Sequence, residues 1–350
     1  MGDVSKTIGA QCRGRVAKWW TWREDGRIRC GLCPRACTLR EGQRGFCYTR
    51  LARNREMVLD TYGRCSGFGL DPVEKKPLYH FLPGTQVLSF GTAGCNLNCR
   101  FCQNWDISKA RENDRLTTSV SPGEIADLAL RYRAKSVAFT YNDPTIFAEY
   151  AIDTARACHA EKLRTIAVSA GYICAEPRRE MYAVMDGANL DLKGFTEDFY
   201  WRLTGAHLRD VLETIAYVCN ETKCWVELTT LLIPGHNDSD GEIRNLSKWI
   251  VENVGPDVPL HFSAFHPDWK MRNVPRTPAT TLQRAREIAC GEGVRFVYTG
   301  NVRDREGGST FCPGCGDLLI ARDWFDVSQN TVGESGQCPR CATVIPGVWA

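Results

Sequence analysis

No stretch of this chain reaches the run of about 20 apolar residues that a membrane-spanning helix needs. Residues Met1 to Ala10 lack an apolar segment with basic flanks, so no secretory leader is expected there. An excess of charge of one sign is missing as well. With 44 Lys and Arg against 41 Asp and Glu, the net charge is +3, too small a field to draw nucleic acid or a membrane surface. Cysteine, by contrast, is abundant. Eighteen in a secreted protein would suggest disulfides, but here they fall into close pairs and triplets, the pattern of metal ligation in a reducing cytoplasm.

The 350 residues exceed one ordinary core and divide by cysteine pattern. Residues 1–84 form a basic, Gly-rich segment with its own cysteine cluster, residues 85–304 alternate short apolar runs with helical patterns, and residues 305–350 carry two Cys-x2-Cys knuckles. In the middle region strands are expected to start at Val87, Ser136, Thr165, Ala188, Cys224, Leu260 and Arg295. Ser121-Pro122-Gly123-Glu124 reads as a capping box opening one helix, and further helices are expected over 145–162 and 240–253. Strands alternating with helices predict an α/β fold with a parallel sheet, and the pattern alone does not say whether it closes.

The segment SFGTAGCNLNCRFCQNW (89–105) places Cys95, Cys99 and Cys102 on a loop leaving a buried strand, with Gly91 and Gly94 for tight turns. Iron–sulfur clusters are held by thiolates, and three ligands to a four-iron cluster leave one iron open, the condition for a reactive rather than a structural metal. Beyond it, SVAFTYNDPT (136–145) and TIAVSAGYI (165–173) are strands ending in polar turns, and ANLDLKGF (188–195) sets Asp191 and Lys193 on one side of a strand by its period of two.

These segments, with DPVEKKPLYHFLPGT, IPGHND and YTGN, resemble the radical S-adenosylmethionine (SAM) superfamily, and within it the AmmeMemoRadiSam-type proteins related to pyruvate formate-lyase activating enzyme, over about 300 residues. The resemblance implies a partial (β/α)6 barrel with the cysteine triplet at its mouth, a [4Fe-4S] cluster on Cys95, Cys99 and Cys102, and SAM on the open iron. Reductive cleavage would then release a 5′-deoxyadenosyl radical that takes hydrogen from a substrate the resemblance does not name. It further implies SAM contacts at Asp143 (where the subfamily has Glu), Ser169, Asp191 and Lys193, with Ile233, Pro234 and Asn237 beneath the adenine. Implied partners are a flavodoxin or ferredoxin as electron donor, and Memo-like and AMME-like proteins. His261 and His266 are candidates to meet substrate, and Arg64, Lys75, Lys76 and His80 to screen the mouth.

Two further cysteine sets remain. Cys30, Cys33, Cys37 and Cys47 can ligate one zinc or one auxiliary iron–sulfur cluster, and spacing does not separate the two. Cys312, Cys315, Cys338 and Cys341 follow the logic of a zinc ribbon, in a segment too short to fold on its own core. Three other readings stay open. The chain could be an activase that installs a glycyl radical on a partner enzyme, an RNA-binding or RNA-modifying protein gripping through the ribbon, or a non-catalytic scaffold. The ribbon's acidic Asp317, Asp323, Asp326 and Glu334 argue against nucleic acid.

Overall fold

The computed structural model describes residues 14–110 and 118–350, so the leader expectation at Met1–Ala10 lies outside the described residues. Seven parallel strands form the centre: β1 (Gln86–Gly91), β2 (Ser136–Phe139), β3 (Arg164–Ser169), β4 (Gly187–Asp191), β5 (Trp225–Leu232), β6 (Leu260–Ala264) and β7 (Val297–Gly300). They lie side by side in chain order. Each connection carries a helix: α1 (Pro122–Arg131), α2 (Ala148–Ala160), α3 (Ala175–Tyr182), α4 (Leu208–Glu221), α5 (Asp240–Asn253) and α6 (Ala279–Gly291). Strands such as β2 and β6 are buried at every residue, as expected where both faces of a parallel sheet are covered. The expected strand starts fall within two residues of the observed ones. The capping box at α1 forms as read, with Ser121 N–H donating to Glu124 Oε2 at 2.7 Å and Glu124 N–H to Ser121 Oγ at 3.4 Å.

The strand Arg64–Pro72, which precedes the expected boundary at residue 85, already belongs to this sheet and pairs antiparallel with β1. Before it, two small antiparallel sheets (Arg15–Val16 with Glu56–Leu59 and Arg50–Arg53; Trp20–Trp22 with Ile28–Cys30 and Thr38–Leu39) carry the first cysteine set. The tail is a three-stranded antiparallel sheet (Thr310–Phe311, Leu318–Asp323, Asp326–Asn330) flanked by its four cysteines.

The tail shares a core with the main sheet rather than hanging from it. Leu319, Ile320, Val332 and Ile345 pack with Tyr79, Phe296 and Tyr298 at the N-terminal ends of the strands. A buried polar network runs through this contact. Glu227 of β5 accepts from the backbone N–H groups of Tyr79 (2.9 Å) and His80 (2.7 Å), and its Oε2 lies 2.7 Å from His261 Nε2. The Nδ1–H of His80 donates to Pro346 O (2.7 Å), which leaves Nε2 to accept from Tyr298 OH (2.6 Å). Arg322 donates to Tyr79 O (2.7 Å) and Thr310 Oγ1 (2.8 Å), with its guanidinium over the Tyr79 ring. His80 and His261 are therefore structural groups at the opposite end from the triplet, which corrects both expectations. Lys75 and Lys76 both pair with Asp71, and Lys76 Nζ also lies over the ring of Tyr141, 5.0 Å from its centroid.

Burial lowers the His80 pKa from 6.5 to about 4 despite the nearby Glu227 charge. Between these values the unfolded chain binds a proton that the folded one refuses, so stability falls as pH drops through the window, by on the order of 3 kcal/mol. Denaturant titrations at pH 7 and pH 4.5 should show this loss in wild type and a smaller one in His80→Phe. Equal losses would show that His80 does not carry the effect.

Candidate active site

The cysteine loop leaves β1 at a point with no room for a side chain. A Cβ at Gly91 would sit 2.6 Å from Thr140 O and 2.8 Å from Asn142 Oδ1. At Gly94, with φ +91°, it would meet the carbonyl oxygen of Cys47 at 2.0 Å. The loop's backbone groups are claimed from several directions. Asn142, just past β2, donates to Thr92 O (2.9 Å) and Gly94 O (2.8 Å). Asn98 and Arg100 N–H groups donate to Thr204 O (2.7 Å) and Leu203 O (2.8 Å), Lys109 Nζ donates to Leu97 O (2.9 Å), and Asn96 Nδ2 donates to Tyr172 O (2.8 Å).

So held, Cys95, Cys99 and Cys102 line one cavity of about 220 Å³ at the C-terminal ends of the strands. Residues at or just beyond the end of six strands face it: Tyr141, Asn142 and Asp143 after β2, Ala170 after β3, Asp191 and Lys193 at β4, Thr229 and Leu231 on β5, Ser263 on β6 and Asn301 after β7, while β1 leads into the cysteine loop itself. This is where parallel α/β sheets keep their sites.

Lys193 Nζ lies 2.7 Å from Asp191 Oδ2. Burial works against its charge, but Asp191 and Cys99 outweigh it and hold the Lys193 pKa above the ordinary value. Burial pushes the Cys99 thiol up to about 11 although Lys193 pulls it down, and raises Cys95 further, with Asp143 adding to the rise. Thiols in this setting become ligands only when a cation joins them. Three cysteines lining one cavity, with the Lys193 ammonium in the same cavity, suit a thiolate-bound cluster.

Other expected site residues sit differently. Asp143 borders the cavity, but both its carboxylate oxygens are engaged: Oδ1 accepts from Ser169 Oγ (3.0 Å) and Thr145 N–H (2.9 Å), Oδ2 from Ala170 N–H (2.9 Å). Burial raises its pKa and these bonds oppose the rise. Ser169 is buried beneath it and does not line the cavity. Asn237 fastens the Pro-Gly turn, accepting from Ile233 N–H (2.7 Å) and donating to Lys193 O (2.8 Å) and Leu231 O (2.9 Å). His266 is at the rim, 3.0 Å from Gln103 Nε2. Sequence reasoning missed Thr229 and Ser263, although polar residues near the ends of apolar strands, at inward parity, are the signal that would have found them.

An α/β protein with a Cys-x3-Cys-x2-Cys loop and an Asp/Lys pair converging at its strand ends falls in the class of cluster-bearing parallel-sheet proteins. The chain belongs to the radical SAM superfamily, whose family model matches residues 90–246. It is 38% identical over 332 residues to an uncharacterized protein of Methanocaldococcus jannaschii, covering 95% of this chain and 98% of that one. It is 25% identical over 236 residues to the pyruvate formate-lyase 1-activating enzyme of Escherichia coli K12, covering 62% of this chain and 93% of that one. The crystal structure of a radical SAM methyltransferase from Sphaerobacter thermophilus shares the fold at 16% identity and a TM-score of 0.51, over 87% of this chain and 81% of that one.

If Asp143 is the joint between β2 and β3, Asp143→Ala strands two buried N–H groups and should cost about 3 kcal/mol, while Ser169→Ala should cost about 1 kcal/mol. Equilibrium denaturation measures both, and equal costs would remove Asp143 from that structural role.

Proposed function

We propose that this chain is a radical SAM enzyme of the cytoplasm, built on a partial (β/α)6 barrel. Cys95, Cys99 and Cys102 would hold three irons of a [4Fe-4S] cluster, and the fourth iron would take the amino and carboxylate groups of SAM. The observation that carries this reading is the meeting of those cysteines with Asp191 and Lys193 in one cavity at the strand ends. When bound, the cluster and SAM supply a one-electron cleavage of the sulfonium, giving a 5′-deoxyadenosyl radical able to take hydrogen from substrate. The chain's own residues set the conditions. Lys193 offsets negative charge at the sulfurs, and Asp191 fixes the ammonium in place.

A second reading, that the substrate is a partner enzyme on which a glycyl radical is installed, is supported by the relative from E. coli, which is by name an activating enzyme. An electron donor of the flavodoxin or ferredoxin kind belongs to either reading. In the tail, Cys312 and Cys341 sulfurs lie 3.5 Å apart and Cys315 and Cys338 sulfurs 3.7 Å apart. A tetrahedral zinc with Zn–S of about 2.3 Å needs sulfurs about 3.8 Å apart, so these four fit zinc. Cys30, Cys33, Cys37 and Cys47 form a further metal site.

Anaerobically reconstituted and reduced protein should form 5′-deoxyadenosine from SAM, and Cys99→Ala should form none. Identical traces from the two would end the proposal. Asp191→Asn should keep the cluster's absorption and weaken SAM binding by about tenfold, about 1.4 kcal/mol. A glycyl-radical signal in a co-purified partner, read by electron paramagnetic resonance, separates the activase reading from action on a small molecule. Tail zinc should survive Cys99→Ala and be lost, by elemental analysis, in Cys338→Ala/Cys341→Ala.

A further inference from the structure

The first cysteine set does not stand apart from the triplet. The carbonyl of Cys47 presses on the Cα of Gly94, the residue before Cys95, so closely that only glycine fits. Arg35, between Cys33 and Cys37, donates from Nε to Asn96 O in the triplet loop and from its other guanidinium nitrogen to Gly205 O at 2.6 Å. The same guanidinium lies over the ring of Phe46, next to Cys47. Backbone carrying one ligand set is thus in van der Waals contact with backbone carrying the other.

Sulfur spacing separates the sets by kind. Among the described residues, the tail cysteines are the one group of His, Cys, Asp or Glu side chains whose ligand atoms close to within 4.8 Å of one another, as a single ion requires. The N-terminal four do not close in this way, and neither does the triplet. Two of them are still neighbours, since the Cys47 and Cys37 sulfurs both flank Gly45. Sulfurs that bind separate irons of a cluster stand wider than sulfurs around one zinc. Three of the four are buried and Cys37 is partly exposed, giving the set one side toward solvent and another toward the triplet loop.

We propose that Cys30, Cys33, Cys37 and Cys47 hold an iron–sulfur cluster that relays electrons to the triplet's cluster. The inference rests on the radical SAM reading of the triplet. One electron passes from a low-potential one-electron carrier, such as reduced flavodoxin, to the N-terminal cluster and on to the triplet's cluster. The carrier is oxidised, the triplet's cluster is reduced, the N-terminal cluster returns to its starting state, and no bond or proton is exchanged.

Reconstituted wild type should contain iron and sulfide beyond what Cys99→Ala removes. After reduction, its two cluster signals in electron paramagnetic resonance should broaden each other, as neighbouring paramagnets do. In Cys33→Ala/Cys37→Ala the extra iron should vanish, and the ratio of flavodoxin-driven to dithionite-driven 5′-deoxyadenosine formation should fall by an order of magnitude or more. Zinc in place of the extra iron, two unbroadened signals, or an unchanged ratio in the variant would each overturn the relay. If the double variant does not fold, the wild-type metal content and line shape still decide. Failure here leaves the radical SAM reading intact, because that reading is tested separately, by whether dithionite-reduced wild type makes 5′-deoxyadenosine that Cys99→Ala does not.

Discussion

A buried loop must account for its backbone polar groups, and the cysteine loop meets this requirement by borrowing partners from turns around it. Asn142 after β2, Tyr172 after β3, and Leu203 and Thr204 before α4 each take or give a hydrogen bond to residues 92–100. The loop is therefore shaped by the sheet, and the triplet inherits a fixed geometry before any metal arrives. Gly91 and Gly94 matter because those partners come close enough to exclude a Cβ.

The two ends of the sheet treat buried charge in opposite ways. At the N-terminal ends, Glu227 is answered by two backbone N–H groups and His261, and His80 by Pro346 and Tyr298. Groups so fully paired have nothing left to offer a ligand, and their work is to lock the tail to the sheet. At the C-terminal ends, Cys95, Cys99, Cys102, Asp191 and Lys193 face a common cavity, where burial and neighbouring charge displace the pKa values of Cys95, Cys99 and Lys193. Perturbed groups that converge on a cleft mark the reactive end.

Much of this was legible in the sequence. Apolar runs such as Ser136–Phe139 and Leu260–Ala264 are buried on both faces and so read as strands, and the helix expected over 240–253 forms as Asp240–Asn253. The placement of the triplet and of the Asp191–Lys193 pair at strand ends was legible, and the structure sets them on one cavity. The histidines were not. His261 shares a strand face with Ser263, and only depth along the strand sends one to the buried network and the other to the cavity, a distinction that period two cannot make. The roles of Asp143 and Ser169 were also hidden, because a side chain at a strand end can serve a ligand or the next strand, and the register of β2 against β3 decides which.

The family match covers residues 90–246, and the E. coli activating enzyme aligns with 62% of this chain, whereas the M. jannaschii relative spans 95% of it. What surrounds the shared sheet therefore belongs to a narrower group, and it meets the sheet at both ends. The tail seals the N-terminal ends of the strands through the His80 and Arg322 contacts. The N-terminal segment covers the cysteine loop on the Gly94 side. Gln103, which lines the cavity, lies 3.0 Å from His266 Nδ1, and two residues on Trp105 stacks on Trp269 with ring centroids 4.8 Å apart. Flat aromatic surface beside a polar cavity suits the orienting of a substrate, so under the proposed function selectivity is sought at this rim rather than among the residues proposed to hold the cofactors.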